Sequence, residues 1–258
     1  MECAIKTQIG KLPGGIDLSD SVENEFFCLK LTEAFGLPVN TARIEIFGKT
    51  KALVIERFDR RWTKDGRLLR LPQEDCCQAL SVPPTLKYQN DGGPGMVDVL
   101  NLLKGSDTAI DDQETFLKAQ LVFWLMGAKD AHAKNFSVYL GPGGSYRMTP
   151  LYDIVTAQGA LDARQIERKQ MKMAMSVGNS RHYRFDQIHG RHFAQTAMRA
   201  GLSQKSALAV IKEVAARALE ALEIAAKALP NGFPPAIVDS VSGALKGRLG
   251  GLRLSGAV

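Results

Sequence analysis

Four cysteines, four histidines and two tryptophans are all that 258 residues contain of these types. The cysteines Cys3, Cys28, Cys76 and Cys77 form no C-x-x-C pair, and adjacent Cys76 and Cys77 cannot bridge in ordinary backbone geometry. With so few histidines beside them, a structural zinc site is not expected, and the cysteines read as reduced, buried small hydrophobes. No apolar run reaches the roughly 18 residues that suggest a membrane span. The opening "MECAIKTQIG" lacks the apolar core of a signal peptide, so a cytoplasmic protein is expected. Internal repeats and low-complexity blocks are missing, as are G-x-S-x-G and H-E-x-x-H. Gly48-Lys49-Thr50 has the look of a P-loop end, but Arg43 stands where that motif needs its first glycine.

What is present is a globular composition, 45% hydrophobic and 23% charged, with a net charge of +6. That charge suits a polyanion such as ATP or nucleic acid, and it also suits an ordinary soluble protein. The basic residues are scattered, apart from "ERFDRRWTKDGRLLR" and the tail "LKGRLGGLRL". Neither stretch interleaves aromatics as a single-strand binder does.

Local signals predict the elements. "CAIK" reads as a strand end. A helix follows over "VENEFFCLKLTEAF", capped by Asp20 or Ser21 with Glu23 in support, and closed by Gly36 and Pro38. "ARIEIF" and "ALVIERF" make a hairpin turning at Gly48, and "DGRLLRLPQEDCCQAL" leads into a short helix. A helix opened by Asp111 and Asp112 is apolar on most sides up to Gly127, as a central buried helix must be. A second hairpin turns at 141–145, "LYDI" looks strand-like, and an Ala-rich helix runs from Ser203 to Leu229. Pro234-Pro235 opens the last helix. Met171, Met173 and Met175 alternate as in a strand, and His182, His189 and His192 fall in a basic region read as helical. The whole reads as an α+β chain: a small mixed portion over 1–58, then a mostly helical remainder over 59–258.

One stretch, "GAKDAHAKNFSVYL", crowds Asp130, His132, Lys134 and Asn135 just after the central helix. Phosphoryl transfer needs a carboxylate to take the acceptor proton and an amide oxygen nearby for Mg²⁺, and the kinase catalytic loop spaces them as Asp130 and Asn135 are spaced. Asp153, eighteen residues beyond Asn135, is the candidate second metal ligand. Lys6 in "CAIK" resembles the strand lysine that reaches phosphates and pairs with a helix carboxylate, here Glu25. Taken singly, each has a plain structural explanation: a polar loop capping a helix, a surface lysine, an ion-paired strand end.

Together, "SVENEFFCLKL", "VIERFDRRW", "RLPQEDCCQAL", "KYQNDGGPG", "GAKDAHAKNFSVYL" and "YRMTPLYDI" resemble the HipA family, serine/threonine protein kinase toxins of bacterial type II toxin–antitoxin systems. The resemblance runs from about Lys6 to about Leu252. It implies a two-lobed protein-kinase-like fold, with ATP and Mg²⁺ between a partial N-lobe and a helical C-lobe. Asp130 would be the catalytic base, with Asn135 and Asp153 as metal ligands. His132, Lys134 and Lys6 would lie by the phosphates, and Glu56, Phe58 and Tyr152 around the adenine. The implied partners are a helix-turn-helix antitoxin and a protein substrate of the aminoacyl-tRNA synthetase class.

Only five residues precede Lys6, where the family's kinases carry a further region with a Gly-rich loop. The resemblance therefore implies a shortened chain that binds nucleotide weakly alone. The stretch that contacts operator DNA in some relatives appears as "QTAMRAG", with Arg199 alone, so DNA is expected only indirectly, through the antitoxin. Two other readings stay open: a kinase-fold remnant that binds an antitoxin without activity, and a small-molecule phosphotransferase.

Overall fold

The computed structural model describes residues 2–253, so the last five positions of the region read as 59–258 lie outside the described residues. The chain opens with β1 (Cys3–Thr7), a small hairpin of β2 (Gly10–Lys11) and β3 (Asp17–Leu18), and helix α1 (Ser21–Ala34). Strands β4 (Ala42–Phe47) and β5 (Thr50–Glu56) pair antiparallel about Gly48, and β1 joins the free edge of β5 with Lys6 opposite Leu53. This three-stranded sheet packs on α1 and, through it, on the helical part.

Strands β6 (Arg60–Trp62) and β7 (Leu68–Arg70) form a hairpin, and β8 (Gln73–Asp75) leads into α2 (Cys76–Ala79). Strands β7 and β8 sit within the stretch read only as an approach to a helix, "DGRLLRLPQEDCCQAL". Leu68 and Leu69 are both exposed, so no alternation of apolar residues marked them. Helix α3 (Met96–Leu103) follows, then α4 (Ala109–Met126), whose Phe116, Leu117, Leu121, Trp124 and Leu125 are fully buried. Burial on nearly every side makes α4 the axis of the core, as its composition predicts. It stops because Gly127 adopts φ +81°, the left-handed cap that an L side chain resists.

Beyond α4, β9 (Ser137–Leu140) pairs with both β8 and β10 (Tyr146–Met148), and α5 (Gln158–Asp162) follows. Then come β11 (Lys172–Val177) and β12 (His182–Arg184), and the helices α6 (Gly190–Arg199), α7 (Gln204–Lys227) and α8 (Pro235–Leu249). Helices α1, α4, α6, α7 and α8 form one continuous apolar core. All four cysteines are free thiols, and burial pushes Cys28 up to about 12.

Four expectations need correction. Asp20 makes no side-chain cap on α1, because its backbone (φ −99°, ψ 15°) is not the extended one a capping side chain needs. Glu23, expected to support that cap, instead turns inward and pairs with Lys51 on β5. "LYDI" forms no strand; Leu151 makes only an isolated bridge to Val39.

His182 lies on a strand, not a helix, and its ring stacks on that of His192 at 4.2 Å, with His189 edge-on at 5.6 Å. Burial, then the charges of His182, Arg191 and His189, push His192 down to about 4. An unfolded chain takes up this proton near 6.5, so as pH falls the unfolded state is protonated first. The contribution of neutral His192 is complete above that value and is lost as pH falls toward 4. His192→Asn should therefore show a shallower loss of melting temperature between pH 6.5 and 4.5 than the parent chain; parallel curves would remove His192 as the source.

Candidate active site

The site begins at β1. Lys6 Nζ lies 2.7 and 3.0 Å from the two Glu25 oxygens and 2.6 Å from Asp153 Oδ1. One ammonium thus bridges a strand, a helix and the segment after β10. Burial of Lys6 opposes its charge, but the Glu25 and Asp153 carboxylates outweigh it and raise its pKa. Glu25 is buried, and desolvation holds its pKa above the usual carboxylate range despite Lys6. Two carboxylates on one lysine leave a net negative charge. Asp153 sits at φ +56°, in the left-handed region that costs a non-glycine residue on the order of 1 kcal/mol or more.

Lys6 and Asp153 line a cavity of about 240 Å³ together with Glu56, Phe58 and Tyr152. Five of the residues expected at the site therefore meet around one space. Phe58 stacks on Tyr152 at 5.6 Å, with Tyr139 edge-on to Phe58, also at 5.6 Å. The segment after β5 is held rigid by Asp59, which pairs with Arg57 and Arg60. Burial opposes ionisation of Asp59, yet these guanidiniums hold its carboxyl below the usual range.

Two polar liners were not legible in the sequence. Asn40 Oδ1 and Gln73 Oε1 are buried without a hydrogen-bond partner among the described residues, and both residues line the cavity. A buried unpaired acceptor costs about 1–3 kcal/mol, so either side chain gains by turning its oxygen to a donor on a ligand in the cavity. An aromatic slot with two waiting acceptors fits an amino-bearing purine.

Asp130, His132, Lys134 and Asn135 lie on the turn between α4 and β9, outside the lining of that cavity. The turn is built from itself: Asn135 Nδ2 donates to the Asp130 carbonyl at 2.9 Å, and the His132 amide donates to the same oxygen. Asn135 Oδ1 makes no hydrogen bond among the described residues. Tyr152 ties the two halves together, because its hydroxyl donates to the Lys134 carbonyl at 3.0 Å and sits next in chain to Asp153. Lys134 itself is engaged, its ammonium 2.8 Å from Asp75 at the start of α2. His132 is buried, with Nε2 3.7 Å from Asp130 Oδ2 and Nδ1 unpartnered. Burial lowers its pKa, against the pull of Asp130.

Tyr88 was not foreseen. Its hydroxyl donates to Asp130 Oδ1 at 2.5 Å, its ring meets His132 edge-on, and the Lys87 ammonium lies over the ring. Burial and the bond to Asp130 raise its pKa. It stands in "KYQNDGGPG", one of the blocks that carry the resemblance, but no role was attached to it there.

The donors suit Mg²⁺, which takes one or two carboxylates and leaves its other positions to phosphate oxygens and water. Asp153 Oδ2 and Asn135 Oδ1 are both uncommitted among the described residues. No cluster of three or more His, Cys, Asp or Glu groups that could hold a metal occurs among those residues. A cation here would need oxygens from its ligand.

The model of the HipA-like C-terminal domain matches residues 3–222. A putative kinase, Y4mE, of Sinorhizobium fredii is 37% identical over 67% of the chain and 39% of its own length. The serine/threonine-protein kinase toxin HipA of Shewanella oneidensis is 32% identical over 60% of the chain and 37% of its own length. The chain thus spans well under half of these curated relatives. Among solved structures, HipA in the Shewanella oneidensis complex with HipB and operator DNA superposes with a TM-score of 0.78 at 26% identity, over 88% of the chain and 55% of that protein. The Helicobacter pylori proinflammatory kinase CtkA matches at a TM-score of 0.61 and 11% identity, over 90% of the chain and 84% of its own, a likeness of fold. The fold is α+β and kinase-like, and the chain belongs to the HipA-like C-terminal domain family.

Proposed function

We propose that the chain carries the catalytic groups of a HipA-like serine/threonine protein kinase that uses ATP with Mg²⁺. The observation that carries this reading is Lys6, clamped between Glu25 and Asp153 at the edge of an aromatic cavity with two unpaired acceptors. The purine packs against the stacked pair of Phe58 and Tyr152, Asn40 and Gln73 accept from its amino group, and the main chain at Glu56 borders it. Lys6 turns from Asp153 to the phosphates, its charge kept by Glu25. Asp153 and Asn135 would hold Mg²⁺, which when bound neutralises phosphate charge. Asp130 orients the acceptor hydroxyl and takes its proton, and His132 and Lys134 add polar groups beside the transferred phosphoryl.

The partners follow from the relatives. The Shewanella protein is crystallised with HipB and operator DNA, so a helix-turn-helix antitoxin is the proposed partner here, with DNA reached through it. An aminoacyl-tRNA synthetase is the proposed substrate class. One observation favours a binding protein without transfer: Asp130 and Asp153 are each already occupied by a neighbour, Tyr88 and Lys6. Nucleotide titration bears on both readings. An ATP analogue with Mg²⁺ should bind, and Phe58→Ala should weaken it about tenfold, because a stacked aromatic contributes on the order of 1 kcal/mol beyond its buried area. Equal affinity of parent and variant would remove Phe58 from the purine site. Binding with no label transferred from ATP would leave the non-transferring reading.

A further inference from the structure

The loop carrying Tyr88 separates Asp130 from a second cavity of about 370 Å³, larger than the first, lined by Gln89, Ser176, Arg181, Thr196 and Arg199 among others. Its charge is unbalanced. Neither Arg181 nor Arg199 pairs with a carboxylate among the described residues; Arg181 reaches the Tyr183 hydroxyl at 3.3 Å, and Arg199 the Gly178 carbonyl at 3.4 Å. The acidic residue on the wall, Asp98, is spent on the Gly95 amide at the start of α3. Two guanidiniums therefore face one space whose single wall carboxylate pairs with neither of them.

The wall also carries an unused hydroxyl. Ser176 is only 7% exposed, and its side chain makes no hydrogen bond among the described residues, although its amide donates to Gln89 Oε1. Thr196, beside it, is fully engaged between the Gly178 amide and the His192 carbonyl. Arg181 is held at φ +53°, a conformation a long side chain avoids, and such strain collects where a side chain's position matters. A forked cation pair with a buried hydroxyl recognises a carboxylate or a phosphate.

The cavity is close to the reaction centre. Gln89 on its wall follows Tyr88, whose hydroxyl touches the Asp130 carboxylate, so one residue step of about 3.8 Å and one side chain separate them. An extended polypeptide advances roughly 3.3–3.6 Å per residue and would cover that span within about four residues. Gly93 keeps the dividing loop tight: a Cβ there would stand 1.9 Å from the Leu86 carbonyl oxygen. A pocket of about 370 Å³ with two arginines on its wall suits a single anionic group better than a nucleic-acid backbone, which wants a long basic track.

We infer that this cavity is a second anion site that takes a carboxylate or phosphate group on the acceptor polypeptide, a few residues from the phosphorylated hydroxyl. The assignment rests on the kinase reading for the acceptor, but binding tests it without turnover. Fluorescent alanine-based peptides with one serine and one glutamate, placed in turn at each position within four residues, are compared with glutamine counterparts by anisotropy. At least one glutamate position should bind tenfold or more tighter than glutamine. Millimolar inorganic phosphate should erase the difference, and so should Arg181→Gln with Arg199→Gln, while affinity for an ATP analogue and the melting temperature stay unchanged. Equal binding of the two peptide sets overturns the inference, as does a preference that survives in the double variant. Tighter binding of a single-stranded RNA oligonucleotide through the same arginines would also overturn it. If instead no ATP analogue binds, the kinase reading fails while the peptide result stands by itself.

Discussion

Asp130→Asn should lower phosphoryl transfer by about 10²–10⁴-fold while leaving the fold in place, since a positioned general base contributes on that scale. Amide and carboxylate have nearly the same shape. The Tyr88 hydroxyl can still donate to the remaining carbonyl oxygen, and the Asn135 side chain holds the main-chain carbonyl of residue 130, which the substitution does not alter. The side chain is half exposed, so no buried charge is lost and the melting temperature should move little. What disappears is the ability to accept a proton. The measurement is label transfer from γ-labelled ATP by the full-length protein, with nucleotide affinity read separately. Undiminished turnover would remove Asp130 from the role of base and make its contact with Tyr88 purely structural.

The parts of this fold that could be read in the sequence are those written locally. Helix α4 announced itself by apolar residues on most sides, and Gly127 marked its end. The β4–β5 and β9–β10 hairpins followed from glycine turns between apolar runs, and α7 from its alanine-rich periodicity. The chemistry of the turn after α4 was equally local, because Asp130 and Asn135 are close in sequence. The remainder needed contacts across distance. Tyr88 lies 42 positions from Asp130, and no pattern around it links the two. Asn40 and Gln73 are polar residues placed at a cavity wall by strand pairings that no short window contains. The site is thus half sequence motif and half topology. The link between Lys6 and Glu25 stands between these cases: the helix was predictable and the pairing was inferred, but Asp153 as the third member came from the fold.

That triad also sets the second large effect. Lys6→Met should lower phosphoryl transfer by about 10²–10³-fold, the usual loss when one preorganised donor facing developing charge is removed. It should also destabilise the chain, for a reason that can be separated from catalysis. Without the ammonium, Glu25 keeps a buried carboxylate with no counter-charge, beside Asp153. Removing one partner of a fully buried pair costs about 3–5 kcal/mol. Lys6 is 41% exposed, so solvent screening brings the expected loss nearer to 2 kcal/mol. The sign with pH follows from Glu25, whose folded pKa is already raised by burial. Losing Lys6 removes the main influence holding it down, so it rises further. Between the unfolded value of 4.5 and the raised folded one, the native state binds more protons than the unfolded state, and stability falls as pH rises. The variant should therefore be weakest near neutral pH and close to the parent below the unfolded value of 4.5, where Glu25 is protonated in both states. Lys6→Met combined with Glu25→Gln should recover the melting temperature and none of the transfer. A Lys6→Met deficit that is flat across pH, or that the second substitution fails to relieve, would show that Glu25 is not the buried charge responsible.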